Sequence, residues 1–323
     1  MSEDPAIIAS GLTKQYAGTL AVDHINFEVK KGEIFGFLGP NGAGKTTTIR
    51  MLTGLSKPTS GSARVLGYDI DAQIAEAKKY VGVVPELSNL YDELSAVDNL
   101  RFMAQLYGVP RSQRRERADQ LLKMFRLYDR KDQRFGTFSR GMKRALTIAA
   151  ALVHNPRLLF FDEPTVGLDV VAARSLRSLI RDLGEQGITI FLTTHYLEEA
   201  DLLCNRIAIL VKGKIVDIDS PETLKGSVTE DLPIEVTFSE TSQKFAEELS
   251  QELGGIKIMT VNHTLRIHGG APAEVLDAVL HFAKSKGVKI ETVTTVKPTL
   301  EDAFIKITGL TPTIMAVEKG SRK

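Results

Sequence analysis

The nine residues Gly39-Pro40-Asn41-Gly42-Ala43-Gly44-Lys45-Thr46-Thr47 constrain this chain more than any other segment. They follow the apolar run Ile34-Phe35-Gly36-Phe37-Leu38 and lead into Thr48-Ile49-Arg50-Met51-Leu52, so they read as a loop between a strand and a helix. In that setting the G-x-x-x-x-G-K-[ST] spacing predicts a phosphate-binding loop. Glycines let successive backbone N–H groups converge on phosphate oxygens, and the helix N-terminus adds positive partial charge. Lys45 is placed to reach the β- and γ-phosphates of a nucleoside triphosphate, and Thr46 to offer its hydroxyl to Mg2+.

The pattern around this loop alternates strands and helices. Strands are predicted at Pro5 to Ser10, Ala21 to Val29, Ala63 to Leu66 and Val81 to Val84. Helical periodicity dominates from about Ser95 to Asn155, where Ser95 and Asp98 form a helix start and Val97, Leu100, Met103 and Tyr107 recur on one face. The basic stretch Arg111 to Arg117 reads as the solvated face of a helix. Arg157 to Phe161 and Ile188 to Thr194 are short apolar runs, as expected of strands buried on both faces, with a helix from about Val170 to Gly184 between them. Such βαβ alternation predicts a parallel sheet covered by helices. Ile207 to Val211 and Lys214 to Ile218 form a hairpin pattern around Lys212-Gly213.

Two further segments carry chemistry. Phe160-Phe161-Asp162-Glu163-Pro164 closes an apolar strand with two carboxylates. Asp162 suits Mg2+, which takes hard oxygen ligands, and Glu163 is placed to orient or deprotonate an attacking water. Phe138-Ser139-Arg140-Gly141-Met142 opens the helical run Lys143 to Val153, and a serine cap beside a glycine at a helix N-terminus is an anion-binding device.

The order of these motifs resembles the ATP-binding-cassette family of transport ATPases, over about residues 6 to 227. The resemblance implies a P-loop NTPase of the α/β class, with a nucleotide-binding domain at 1–227 and a helical subdomain at about 88–155. It implies that ATP is bound by the loop Gly39 to Thr47 and stacks its base on Tyr16, with Val22 lining the same pocket. It also makes Lys45, Glu163 and His195 the catalytic set, His195 being the switch histidine after Thr193-Thr194. Thr46, Glu86 and Asp162 would hold Mg2+. Ser139, Arg140, Gly141 and Met142 would be the signature, completing an ATP site on another chain, and Asp169 the D-loop aspartate at that interface. A homodimer with two equivalent shared sites follows from that resemblance.

Two positions depart from the family pattern. Glu86 stands where Gln is usual, adding negative charge near Asp162 and Glu163 and predicting an altered metal dependence. Arg140 and Met142 replace Gly and Gln in the signature, while Ser139 and Gly141 remain to meet the γ-phosphate.

After a loosened pattern around Lys225 to Asp231, a second unit is expected over 228–311, followed by a mobile tail at 312–323. Strands at Pro233 to Phe238, Ile256 to Val261, Leu265 to His268 and Val288 to Val293 alternate with helices at Ser242 to Leu253 and Ala273 to Ser285. That order, β-α-β-β-α-β, predicts a small α+β domain of ferredoxin-like arrangement. A final helix from Thr299 to Ile307 opens with Lys297-Pro298-Thr299-Leu300-Glu301-Asp302 and resembles the ending of ATPases serving drug, antibiotic and polysaccharide exporters.

No apolar stretch approaches the roughly 20 residues of a membrane span, and the acidic start lacks a secretory h-region. The resemblance therefore implies a peripheral protein at the cytoplasmic membrane face, docked by the segment around Ser88 to Val109 on separate permease subunits. The single cysteine, Cys204, excludes an internal disulfide, and a net charge of +1 gives no nucleic-acid footprint. Two other readings stand beside the exporter. One is an importer ATPase with a ligand-sensing regulatory domain, which the methionine-importer branch resembles. The other is a soluble ATPase acting on ribosomes or DNA, whose relatives usually carry two cassettes in one chain or a long coiled-coil insertion.

Overall fold

The computed structural model describes residues 4–228, 233–239, 243–254, 256–261, 264–295 and 298–310. The expected tail at 312–323 lies outside the described residues, as do Asp231, Ser242 and Lys297. Contacts divide the chain into two units, one reaching to Pro221 and joined by Ile307, the other running from Glu222 to Lys306. The division precedes the expected 227/228 boundary because the segment after Pro221 is tied into the second unit, where Lys306 Nζ donates to the Ser227 carbonyl at 2.7 Å.

The first unit begins with β1 (Ile7–Tyr16), β2 (Thr19–Val29), β3 (Ile34–Leu38), α1 (Lys45–Leu52), β4 (Ser60–Val65), β5 (Tyr68–Asp69), α2 (Ile74–Ala77) and β6 (Val81–Val84). It continues with α3 (Ala96–Leu106), α4 (Arg114–Met124), α5 (Arg140–Ala151), β7 (Leu158–Asp162), α6 (Val170–Glu185), β8 (Thr189–Thr194), α7 (Leu197–Leu203), β9 (Arg206–Val211) and β10 (Lys214–Asp219), and the next helix, α8 (Pro221–Gly226), belongs to the second unit from Glu222 onward.

A six-stranded sheet in the order β10-β9-β3-β8-β7-β6 is parallel except for β10, which returns from β9 as a hairpin. Every residue of β3, β7 and β8 is buried, which is why these strands read as unbroken apolar runs. β1 pairs antiparallel with β2 and β4 in a second sheet, β2-β1-β4-β5. β1 runs further than expected, to Tyr16, because register shifts near Gly11 let it bend and keep pairing. Between the sheets, Phe27, Phe37 and Phe191 pack with ring centroids 4.9–6.0 Å apart, and Phe160 joins at 5.4 Å from Phe191. Gly36 in β3 faces Cys204, where an added Cβ would lie 2.5 Å from Sγ, so the thiol fills the space a side chain would need.

The helical segment departs from expectation at one point. Arg117 does not belong to a solvated face: its guanidinium donates to the carbonyls of Leu152 at 2.8 Å and Val153 at 3.3 Å. The end of α5 leaves carbonyls without helical partners, and Arg117 supplies the donors. Arg111 and Arg115 are exposed, as read.

The second unit contains β11 (Pro233–Phe238), α9 (Gln243–Glu252), β12 (Lys257–Val261), β13 (Thr264–His268), α10 (Pro272–Lys286), β14 (Ile290–Thr295) and the start of α11 (Leu300–Thr308). Its antiparallel sheet has the order β12-β13-β11-β14. With the β-α-β-β-α-β succession, that strand order is the ferredoxin-like arrangement. It has its own core, in which Phe282 meets Phe238 and Phe245 edge-on.

Candidate functional site

The loop from Gly39 to Gly44 leaves β3 at the carboxyl end of the parallel sheet, where ligands of open α/β sheets bind. Two of its glycines are required by their neighbours. A Cβ on Gly39 would lie 2.2 Å from the Leu210 carbonyl oxygen, and one on Gly44 2.5 Å from that of Ala21. Gly42 (φ +81°) and Gly44 (φ +107°) also occupy the left-handed region. Pro40 and Ala43 are buried, and Asn41 is exposed at the tip. Thr47, half-buried, follows Thr46 into α1.

Lys45, 5% exposed, turns its ammonium back on the loop. Nζ donates to the Gly39 carbonyl at 2.6 Å and the Pro40 carbonyl at 3.2 Å, and lies 3.1 Å from Glu163 Oε1. Thr46 Oγ1 donates to Asp162 Oδ1 at 3.0 Å, and Thr193 Oγ1 donates to the same oxygen at 2.7 Å. A hydroxyl and a carboxylate at the end of β7 thus form an all-oxygen pair. Mg2+ favours such hard ligands and completes its octahedron with phosphate oxygens and waters, so the residues present fit the ion. No three His, Cys, Asp or Glu side chains among the described residues cluster into a metal cage of their own.

Glu163 holds a left-handed backbone, φ +47°, uncommon for a residue with a side chain. Its N–H donates to both the carbonyl and the hydroxyl of Thr193 at 3.1 Å, which fixes that conformation. Oε2 accepts from His195 Nδ1 at 2.8 Å. A carboxylate only accepts, so the proton sits on Nδ1 and the Nε2 edge of His195 is left to face a ligand. Oε1 is buried and accepts no well-aligned hydrogen bond, although the Lys45 ammonium is beside it. Burial pushes the Glu163 carboxyl upward, but the His195 hydrogen bond and the Lys45 charge outweigh it and hold the group below the usual carboxylate range.

Tyr16 stands 42% exposed at the end of β1, its hydroxyl 3.3 Å from Ser56 Oγ and Lys14 Nζ 4.9 Å from its ring centre. One face is available to a flat base. Val22 corrects the sequence reading: it is fully buried beneath Gly44, so it supports the loop from below and forms no wall of an open pocket.

Ser139 and Asp169 each cap their own helix. Ser139 Oγ accepts from the Met142 N–H at 3.3 Å at the start of α5, and Asp169 Oδ1 accepts from the Ala172 N–H at 2.8 Å at the start of α6. Ser139 and Arg140 are exposed, with Gly141 and Met142 half-buried. A Cβ on Gly141 would come within 3.3 Å of Ala172 Cβ, so glycine keeps the two helix starts close. Loop, Asp162, Glu163 and His195 therefore converge within one chain, while the Ser139 oxygen accepts from its own helix and its exposed O–H remains able to donate. Glu86 is exposed just past β6, its carbonyl held by the Arg144 guanidinium at 3.3 Å.

Three contributors escaped the sequence reading. Thr193 sits inside an apolar strand, with no signal beyond its being a hydroxyl there. Arg144 left one signal, a charge on the buried face of α5 at i, i+4 and i+7 with Ile148 and Ala151, which marks the side chain as buried but not what it holds. Glu199 on α7 is 1% exposed, and neither carboxylate oxygen accepts a well-aligned hydrogen bond. Burial pushes its carboxyl upward, and the negative charge of Glu163 adds to that, against the nearby hydroxyls of Thr194 and Thr165 and the charge of Arg177.

A family model described as ABC transporter matches residues 22–166. The linearmycin resistance ATP-binding protein LnrL of Bacillus subtilis is 36% identical over 306 residues, covering 94% of this chain and 98% of that protein. The Nod factor export ATP-binding protein I of Cupriavidus metallidurans is 38% identical, covering 92% of this chain and 95% of that one. Among solved structures, a dimeric ATP-binding cassette in a post-hydrolysis state bound to ADP and Pi superposes with a TM-score of 0.61 at 27% identity, covering 66% of this chain and 98% of that one.

Proposed function

This chain belongs to the ABC transporter family as an ATP-binding subunit, and from that premise we propose that it works as a homodimer at the cytoplasmic face of a membrane, where ATP-driven closure of the pair powers a separate exporter permease. One observation carries the reading. The phosphate loop, Asp162, Glu163 and His195 meet in one chain, whereas the exposed Ser139-Gly141 helix start is left for another. The names of the relatives, resistance and export, favour the exporter over the importer.

In this mechanism the Lys45 ammonium exchanges the Gly39 and Pro40 carbonyls for β- and γ-phosphate oxygens, which are stronger acceptors. Leaving Glu163 removes a positive neighbour and makes that carboxylate a better base. Oε1 then accepts a proton from the attacking water, while His195 holds Oε2 and fixes the direction of attack. Thr46 and Asp162 are the residues that would hold Mg2+, and the ion would supply neutralisation of the phosphate charge. Tyr16 stacks on adenine, and the partner chain's signature closes over the γ-phosphate. Glu86, which follows β6, would add a carboxylate near that ion and so would alter metal dependence.

The Glu163→Gln chain should bind ATP, dimerise and lose about 10²- to 10⁴-fold in hydrolysis rate. Light scattering with and without MgATP reads the dimer. A chain that remains monomeric at saturating ATP sinks the shared-site reading. Affinity purification from solubilised membranes should recover an integral-membrane partner; recovery of ribosomes or DNA instead supports the non-transport reading.

A further inference from the structure

The signature helix is fastened to the catalytic centre by one side chain. Arg144 is 8% exposed, and its guanidinium donates to five backbone carbonyls. Nε reaches Pro164 at 2.8 Å; one terminal nitrogen reaches Pro85 and, at 3.3 Å, Glu86; the other reaches Asp162 at 3.2 Å and Glu163 at 3.3 Å. Neighbouring residues of the same helix tie down the rest of the segment after β6. Lys143 Nζ lies 2.9 Å from Asp92 Oδ1, and Thr147 Oγ1 lies 2.7 Å from Ser88 Oγ. On its other flank α5 borders a cleft of about 560 Å3 toward α6, lined by Met142, Leu168 and Leu176, so packing there is open.

We propose that Arg144 is a positioning residue that couples the two half-sites of each chain: it transmits the state of Glu163 and the Glu86 segment to the signature that the same chain offers to its partner. The proposal rests on the shared-site reading. A guanidinium is suited to the task, because its rigid fork can hold several carbonyls at once in a fixed plane, whereas an ammonium is a point charge. When Glu163 or the Glu86 backbone shifts, α5 must follow, because all five acceptors belong to those two segments. Burial lowers the guanidinium to about 10, and Asp162, Glu199 and Glu86 keep it charged at neutral pH.

The test is Arg144→Lys, alone and with Glu163→Gln. Nucleotide affinity of the monomer should stay within about twofold, since no contact with the loop is touched. The MgATP-dependent dimer of the double variant should weaken at least tenfold against Glu163→Gln alone. In the single variant kcat, at chain concentrations that saturate dimerisation, should fall at least tenfold with KM for ATP unchanged. Thr147→Val, which removes the Ser88 tie together with the hydroxyl's bond to the Lys143 carbonyl in its own helix, should move both quantities the same way by less, and it serves if Arg144→Lys fails to fold. Loss of dimerisation alone or of kcat alone identifies a local brace and overturns coupling. Unchanged values for both overturn it too. If Glu163→Gln itself does not dimerise, the shared-site reading falls and this inference with it.

Discussion

His154 makes the folded molecule sensitive to acid through a single half-buried ring. It stacks flat on Tyr107, with centroids 3.9 Å apart, and Nε2 donates to the Val81 carbonyl at 3.0 Å. Burial lowers its pKa from 6.5 to about 4, with the nearby Arg117 charge adding to that against the Val81 hydrogen bond. The folded state therefore keeps the ring neutral while the unfolded chain takes up a proton below pH 6.5, so stability is full above that value and falls as pH drops toward about 4. His154→Phe should remove this dependence: urea denaturation at pH 7 and pH 5 should show the native chain losing about 1–2 kcal/mol more than the variant. An equal loss in both would place the acid sensitivity elsewhere. At this scale the motif-borne residues Lys45, Thr46, Asp162 and Glu163 were legible because their spacing is local. Arg144 and Thr193 act through partners 18 to 59 and 30 to 32 residues away, which no local spacing encodes.

Among elements, the phosphate loop shows two different uses of glycine. A Cβ at Gly39 would collide with the β9 backbone, while at Gly42 it would meet nothing within 4 Å and only the left-handed φ opposes it. Gly39→Ala should cost about 2–3 kcal/mol or more of stability, and Gly42→Ala about 1–2 kcal/mol. Chemical denaturation of the nucleotide-free chains gives the order, and a larger loss at Gly42 would contradict it. Helix starts were readable because capping is local. Ser95 accepts from the Asp98 N–H at 3.1 Å, and Thr299 and Asp302 bond reciprocally. The β2-β1-β4-β5 sheet was not readable, since its order depends on β4 returning to β1 across about 50 residues and on bulges that reset the register. The fully buried strands β7 and β8 were found, and their parallel pairing followed from the helix between them.

For the whole molecule, two units with separate cores predict two unfolding transitions rather than one. MgATP should raise only the transition of the unit carrying the phosphate loop, by about 2.7 kcal/mol at a hundred times Kd. Calorimetry with and without nucleotide reads this directly; a single transition that shifts as one would show that the units unfold together. The element succession of both units was legible from hydrophobic period. Their boundary was not, because the Ser227 carbonyl is held by Lys306, far along the chain. One detail of the first unit has a practical reach. Cys204 is the chain's sole cysteine, and its thiol is buried against Gly36 and pushed well up by that burial and by Glu199 and Glu33. Thiol reagents act on the thiolate, so the native protein resists them until the sheet opens around β3. The chain therefore carries its own chemical clock: alkylation at Cys204 times the opening of the nucleotide-binding core. Spectroscopic labels attached through cysteines introduced on the surface need no prior removal of the natural one.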